Sequence, residues 1–207
     1  MAKLDMRKDL KALYAPSAKE PAIVDVPELT FLMIDGTGDP NTAASYQAAV
    51  QVLYSLSYGL KFEVKRAQGV DYAVMALEGL WWAEDMSAFS QSKKDDWLWT
   101  AMIAQPSYVT SEAIETQRGA VLKKNPGLPV SKVRFEAFRE GLSAQIMHIG
   151  PYAAERPTIE RLHHFIQDSG YERIGKHHEI YLSDPGRTAP DKLKTVVRQP
   201  MAKPSHA

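Results

Sequence analysis

The stretch Gly175-Lys-His-His-Glu-Ile-Tyr-Leu-Ser-Asp-Pro185 decides how the chain is read. Ile180 and Leu182 alternate with Glu179, Tyr181 and Ser183, and Asp184-Pro-Gly186 closes the run. Alternation with a period of two, bounded by turn residues, predicts a strand with one apolar and one polar face. Successive side chains on a strand point to opposite sides, so Glu179 and Tyr181 share a face. An acid beside a phenol there is either an exposed sheet surface or the floor of a pocket.

Working outward, the same order of elements occurs twice. In the first half, a polar helical arm over 5–14 leads to strands at Ala22–Val26 and Leu29–Asp35, and Gly36 to Pro40 form a turn. Asn41 or Thr42 then reads as the N-cap of a helix reaching about Lys61. Strands follow at Tyr72–Leu77 and Trp97–Ala104, joined by a loop from Trp82 to Asp96 that carries Glu84, Asp85, Lys93 and Lys94. Thr110 or Ser111 caps a linking helix that stops at Asn125-Pro-Gly127. The second half gives a hairpin of Val133–Phe138 and Ser143–Ile149 around Glu140-Gly141. A helix from Thr158 to Gln167 comes next, then the Glu179 strand, then a last strand at Leu193–Arg198, ended by Gln199-Pro200.

Phe31 to Gly36 matches Gln145 to Gly150, and Trp99 to Pro106 resembles Lys194 to Pro200. A repeat of about a hundred residues is a duplicated module rather than a solenoid. The expected fold class is α+β: two ββαββ modules with antiparallel sheets, a helix on each, and a ligand cleft at their pseudo-twofold axis. The first module covers about 21–106, the linking helix about 110–125 and the second module about 131–200, within one domain spanning 1–207. On this alignment Glu179 has its counterpart near Val74, and Tyr181 near Ala76.

Composition removes several functions. Lys plus Arg and Asp plus Glu number 25 each, and no basic run offers a phosphate-binding surface, so nucleic acid is not an expected partner. The chain has no cysteine, which excludes disulfides, thiolate nucleophiles and Cys-ligated zinc. Neither a signal-peptide apolar core nor a bilayer-length segment is present, and the expected location is cytoplasmic, with no membrane partner. Gly36-Thr-Gly38 supports neither a dinucleotide loop nor a P-loop, and there is no Gly-x-Ser-x-Gly elbow. His163-His164 and His177-His178 lack metal-ligand spacing, so neither a metal nor a cofactor is expected.

What remains is aromatic and acidic. All four tryptophans lie within nineteen residues, Trp81, Trp82, Trp97 and Trp99, either in a module core or lining a pocket. Trp81 and Trp82 are adjacent and cannot both face inward on one strand. Glu179 is a solvated strand residue, an ion-pair member or a pocket acid, and in an aromatic pocket desolvation suits a carboxyl for proton transfer. His148, before Gly150-Pro-Tyr152, is a further pocket candidate or a hydrogen-bonded core histidine.

Taken together, Leu77 to Trp82, Trp97 to Pro106, Gln145 to Tyr152 and Lys176 to Pro185 resemble the GyrI-like small-molecule-binding proteins. The likeness is nearest to the stand-alone branch of cyclopropanoid cyclopropyl hydrolases and covers Asp5 to Pro200. It implies a pair of SHS2-type modules around a hydrophobic cleft. It also implies a hydrolase that adds water to the strained ring of planar, DNA-alkylating cyclopropanoids, which detoxifies them. In the wider family, multidrug-binding domains of this kind often follow a DNA-binding segment, and a strand glutamate, matched here by Glu179, meets cationic aromatic ligands. The roughly twenty residues before the first strand are too few for such a segment. On this resemblance Glu179 orients or deprotonates the water, Tyr181 donates to the developing oxyanion and Glu78 is a second acid. Trp82 and Trp99 sandwich the ligand, with Met102, Phe138, Ile146, His148 and Tyr152 as further contacts. The expected partner is a hydrophobic planar small molecule, and the protein a monomer or homodimer. The alternatives are a binding module that sequesters or senses such compounds without turnover, and a protein that inhibits a cytoplasmic enzyme.

Overall fold

The computed structural model describes residues 4–83 and 95–204. The chain divides into two compact units, one of Met1–Asp9 with Leu29–Phe138, the other of Leu10–Glu28 with Arg139–Ala207. The division falls inside two strands, β1 (Ala22–Thr37) and β4 (Arg134–Ile149). Each was expected as a pair of strands. Pro27 interrupts the hydrogen-bonding capacity of β1 without ending it, and Gly141 takes φ 75° inside β4, a left-handed value that bends a strand rather than reversing it. The predicted turn at Glu140-Gly141 is therefore a kink. The order is one long strand, a helix and two strands in the first half, and one long strand, a helix and three strands in the second, instead of ββαββ.

In the first unit, β1 pairs antiparallel with β3 (Leu98–Gln105), and β3 pairs antiparallel with β2 (Leu77–Trp82). Phe31, Leu32, Met33 and Ile34 are all buried, a continuous apolar run that the sheet covers on both faces. Helix α3 (Ala44–Gln68) packs on β3, burying Ala49, Val52, Leu53, Leu56, Leu60 and Val64 at helical spacing. It starts later and ends later than expected. Asn41 is held in a turn by the Asp39 carboxylate, which accepts from its N–H at 2.9 Å, and Gly69 at φ 69° stops the helix. The strand expected at Tyr72–Leu77 is reduced to one bridge between Tyr72 and Leu4, and pairing begins only at Leu77. Thr110 does cap α4 (Ser111–Lys124), its hydroxyl accepting from the Ala113 N–H. The short helices α1 (Met6–Asp9) and α2 (Lys11–Tyr14) replace the single arm. Glu84, Asp85, Lys93 and Lys94 lie outside the described residues.

In the second unit, β7 (Lys194–Ala202) pairs antiparallel with β4 on one side and β6 (His177–Tyr181) on the other, with the short β5 (Glu172–Arg173) at its end. Strand β7 runs through Pro200 because that residue needs only its carbonyl, which accepts from Ile174 N–H at 2.9 Å. Helix α5 (Arg156–Asp168) lays Leu162 and Ile166 against Ala144, Ile146, Val197 and Met201. On the other sheet face, Arg198 reaches Glu140 at 3.1 Å, Gln145 at 2.9 Å and the Leu13 carbonyl at 2.8 Å. His178 Nδ1 lies 3.0 Å from both Glu140 oxygens, and Gln145 donates to the Ala12 carbonyl at 2.6 Å. This buried ionic group ties α2 to the sheet.

Burial pushes the Glu140 carboxyl up, but His178 and Arg198 outweigh it and bring it to about 2. A depressed carboxyl stabilises the fold above its unfolded value of 4.5, and that contribution is lost as pH falls through about 2. We expect Glu140→Ala to leave Arg198 buried without its counter-charge and to lower unfolding stability by about 3–5 kcal/mol in urea titrations. The variant also lacks this part of the acid dependence of the wild type.

Candidate active site

Strand β6 sorts its side chains by parity. His178 and Ile180 face the Arg198 side, while His177, Glu179 and Tyr181 face the side that carries α5. Tyr181 donates its hydroxyl to Glu179 Oε2 at 2.7 Å, and His177 Nε2 donates to Oε1 at 3.2 Å. A third group, Glu155, sits just ahead of α5, is 3% exposed and hydrogen-bonds to the same carboxylate. Two carboxyl groups in contact do not both ionise cheaply. With His177 and Tyr181 already donating to Glu179, a proton held by the pair is favoured on Glu155. Burial pushes the Glu179 carboxyl up, yet His177, Tyr181 and Glu155 together hold it below its ordinary value. Tyr152, in the turn before Glu155, stacks edge-on against Tyr181 with centroids 5.5 Å apart and is 36% exposed.

Glu179, Tyr181 and Tyr152 are thus brought together as expected, with a different division of labour. The Tyr181 hydroxyl donates to Glu179. Glu155 was missed because nothing local marks it: it is one acid in Ala154-Glu-Arg156 at a helix start, and only the fold carries it to β6. His177 was weighed only as a metal ligand, and among the described residues no group of His, Asp and Glu could hold a metal ion.

The other expected site residues divide differently. Ile146 is sealed in the α5 core. His148 is a core histidine: its Nε2 donates to the Pro151 carbonyl at 3.3 Å, which leaves Nδ1 to accept from the Thr158 hydroxyl at 3.0 Å. In the first unit, Trp81 stands opposite Trp99 and Trp82 opposite Leu98, so Trp82 and Trp99 lie on opposite faces and do not sandwich a ligand. Trp99, 1% exposed, packs edge-on against Tyr46 of α3 at 5.0 Å, and Trp81 meets both Tyr46 at 5.6 Å and Trp97 at 5.8 Å. Glu78, buried, shares the opposite face with Met102 and Trp82, and Phe138 meets Phe31 edge-on at 6.3 Å.

The register also corrects the internal alignment. Gln105 pairs with Thr30 and Gln199 with Ala144, and two residues earlier Ile103 faces Leu77 while Val197 faces Glu179. The counterpart of Glu179 is therefore Leu77, that of Tyr181 is Gly79, and Glu78 corresponds to Ile180.

With this geometry in place, the comparisons with known proteins are informative. Residues 19–201 match the family described as GyrI-like small molecule binding domain, and the chain belongs to that family. It is similar to an uncharacterized conserved protein from Listeria innocua, with 40% identity and a TM-score of 0.90. It is also similar to a hydrolase from Listeria innocua, with 40% identity and a TM-score of 0.87. Both comparisons cover 97% of this chain and 100% of the other. The C-terminal domain of EcmrR shares the fold at 11% identity and a TM-score of 0.58, over 89% of this chain and 98% of that one. None of the curated proteins matches the chain. No helix among the described residues is long and apolar enough to cross a membrane.

Trp99 lies directly over Gly36, where an added Cβ would come within 2.2 Å of the indole. We expect Trp99→Ala to lower thermal and urea stability by about 3–5 kcal/mol, as for a core aromatic. Gly36→Ala should destabilise in the same assays by about 1–3 kcal/mol through overpacking.

Proposed function

We propose that this protein hydrolyses hydrophobic, planar cyclopropanoid compounds by adding water to the strained ring, with Glu179 and Glu155 as the working pair. The observation that carries the reading is the contact between the Glu179 and Glu155 carboxyl groups beside two tyrosine rings. Membership of a small-molecule-binding family and the 40% identity with a hydrolase support it.

Ring opening needs a proton at the substrate carbonyl and a water held against the ring carbon. In the proposed step Glu155 gives its proton to the carbonyl oxygen as the carbon–carbon bond of the three-membered ring breaks. The electrons of that bond pass into the dienone, which becomes a phenol. The water oxygen bonds to the released carbon, and its proton goes to Glu179. The hydrogen bond between the two carboxyl groups then returns that proton from Glu179 to Glu155, so the enzyme is restored without an external acid. Glu179 is held ionised and is a mild base; relief of ring strain supplies the driving force. Tyr181 fixes one Glu179 oxygen, and Tyr152 and Tyr181 offer aromatic surface to a flat substrate.

A binding module without chemistry is the second reading, favoured by the same ionised carboxylate beside aromatic rings, which suits a cation. Mass spectrometry of a cyclopropanoid incubated with the protein separates the two: hydrolysis yields a product heavier by one water, binding alone returns the compound unchanged. We expect Glu179→Gln and Glu155→Gln each to slow turnover at least about 100-fold while binding persists. Full turnover by either variant would remove that residue from the mechanism.

A further inference from the structure

We propose that His177 is a positioning residue that fixes the orientation and the charge of the Glu179 carboxylate for the attacking water. This rests on the reading of Glu179 as the working carboxylate. The imidazole is buried, its Nε2 is committed to Glu179 Oε1, and the two side chains project from the same face of a rigid strand two residues apart. Tyr181 holds the other oxygen from the far side. Between them the two donors fix both rotation about the Glu179 side chain and its position along β6, and leave the remaining lone pairs directed away from the strand.

Glu179 meets His177 and Tyr181 on β6 and Glu155 ahead of α5. His177 faces His163 of α5, which accepts from Arg173 Nη1 of β5 at 2.9 Å. Burial lowers His163 to about 4, with help from Arg173, His177 and His164, while Glu160 opposes the shift. His163 is consequently neutral near pH 7 and does not compete for the Glu179 carboxylate. Phenol and carboxylic acid carry no positive charge, so His177 is the group able to place one beside Glu179.

The sign of the effect follows. His177 favours ionised Glu179, so its removal raises the carboxyl, and any step that needs ionised Glu179 fails at a higher pH than before. The test uses the full chain with carbon-13 at the glutamate carboxyls and follows the Glu179 resonance, assigned by its absence in Glu179→Gln. Wild type is compared with His177→Gln, which keeps a neutral donor, and His177→Asn, which is too short to reach. We expect the Glu179 midpoint to rise by about one pH unit or more in His177→Asn, a tenfold change in acid strength, and by less in His177→Gln. The acid limb of the turnover profile should move by the same amounts. An unmoved midpoint in both variants overturns the proposal. If His177→Asn does not fold, His177→Gln decides alone, because an amide is a weaker donor than the imidazole N–H and must still raise the midpoint. If Glu179→Gln retains turnover, the reading of Glu179 fails, yet the carboxyl midpoint still reports whether His177 controls it.

Discussion

The site depends on one partly buried carboxylate, Glu179, whose neighbours favour its charged form. Glu179 lies where desolvation favours the neutral acid, and three neighbours reverse that preference by donating to it. The geometry of β6 makes this possible, since residues two apart on a strand point the same way and reach the same group. His177 and Tyr181 are those residues, and α5 begins where Glu155 can complete the set. The cost of the arrangement is low basicity at Glu179. In return, the Glu179 carboxylate is held in one position, with a second carboxyl group beside it.

The neighbouring residue on the same strand shows how far parity carries function. His178 points to the other face and meets Glu140, which is itself bound by Arg198. There Arg198 meets the Glu140 carboxylate, Gln145 and the Leu13 carbonyl. That group holds the unit together and has no chemistry to offer. Two adjacent histidines, each beside a glutamate, thus serve separate purposes because a strand alternates.

Much of this was legible in the sequence. The alternation around Glu179 announces the strand and correctly places Tyr181 on its face, whereas the element order is not the expected pair of ββαββ modules. Thr110 signals its helix through a cap that depends on local chemistry alone. The errors share a physical cause. Pro27 and Gly141 look like breaks because both disturb a strand locally, yet β1 and β4 run through them. Glu155 was invisible because its partner lies on a distant strand, and no short-range pattern encodes a contact of that kind. The tryptophans were ambiguous for a different reason: cores and pockets use the same side chains, and only the register, with Trp81 facing Trp99 under Tyr46, decides for the core.

The central claim is that one proton resides on Glu155 while Glu179 is ionised. Infrared difference spectroscopy at neutral pH tests it directly, through the carbonyl stretch of a protonated carboxyl group. The account predicts a protonated-carboxyl band in the wild type that disappears in Glu155→Gln. A spectrum in which Glu155→Gln removes no such band would contradict it.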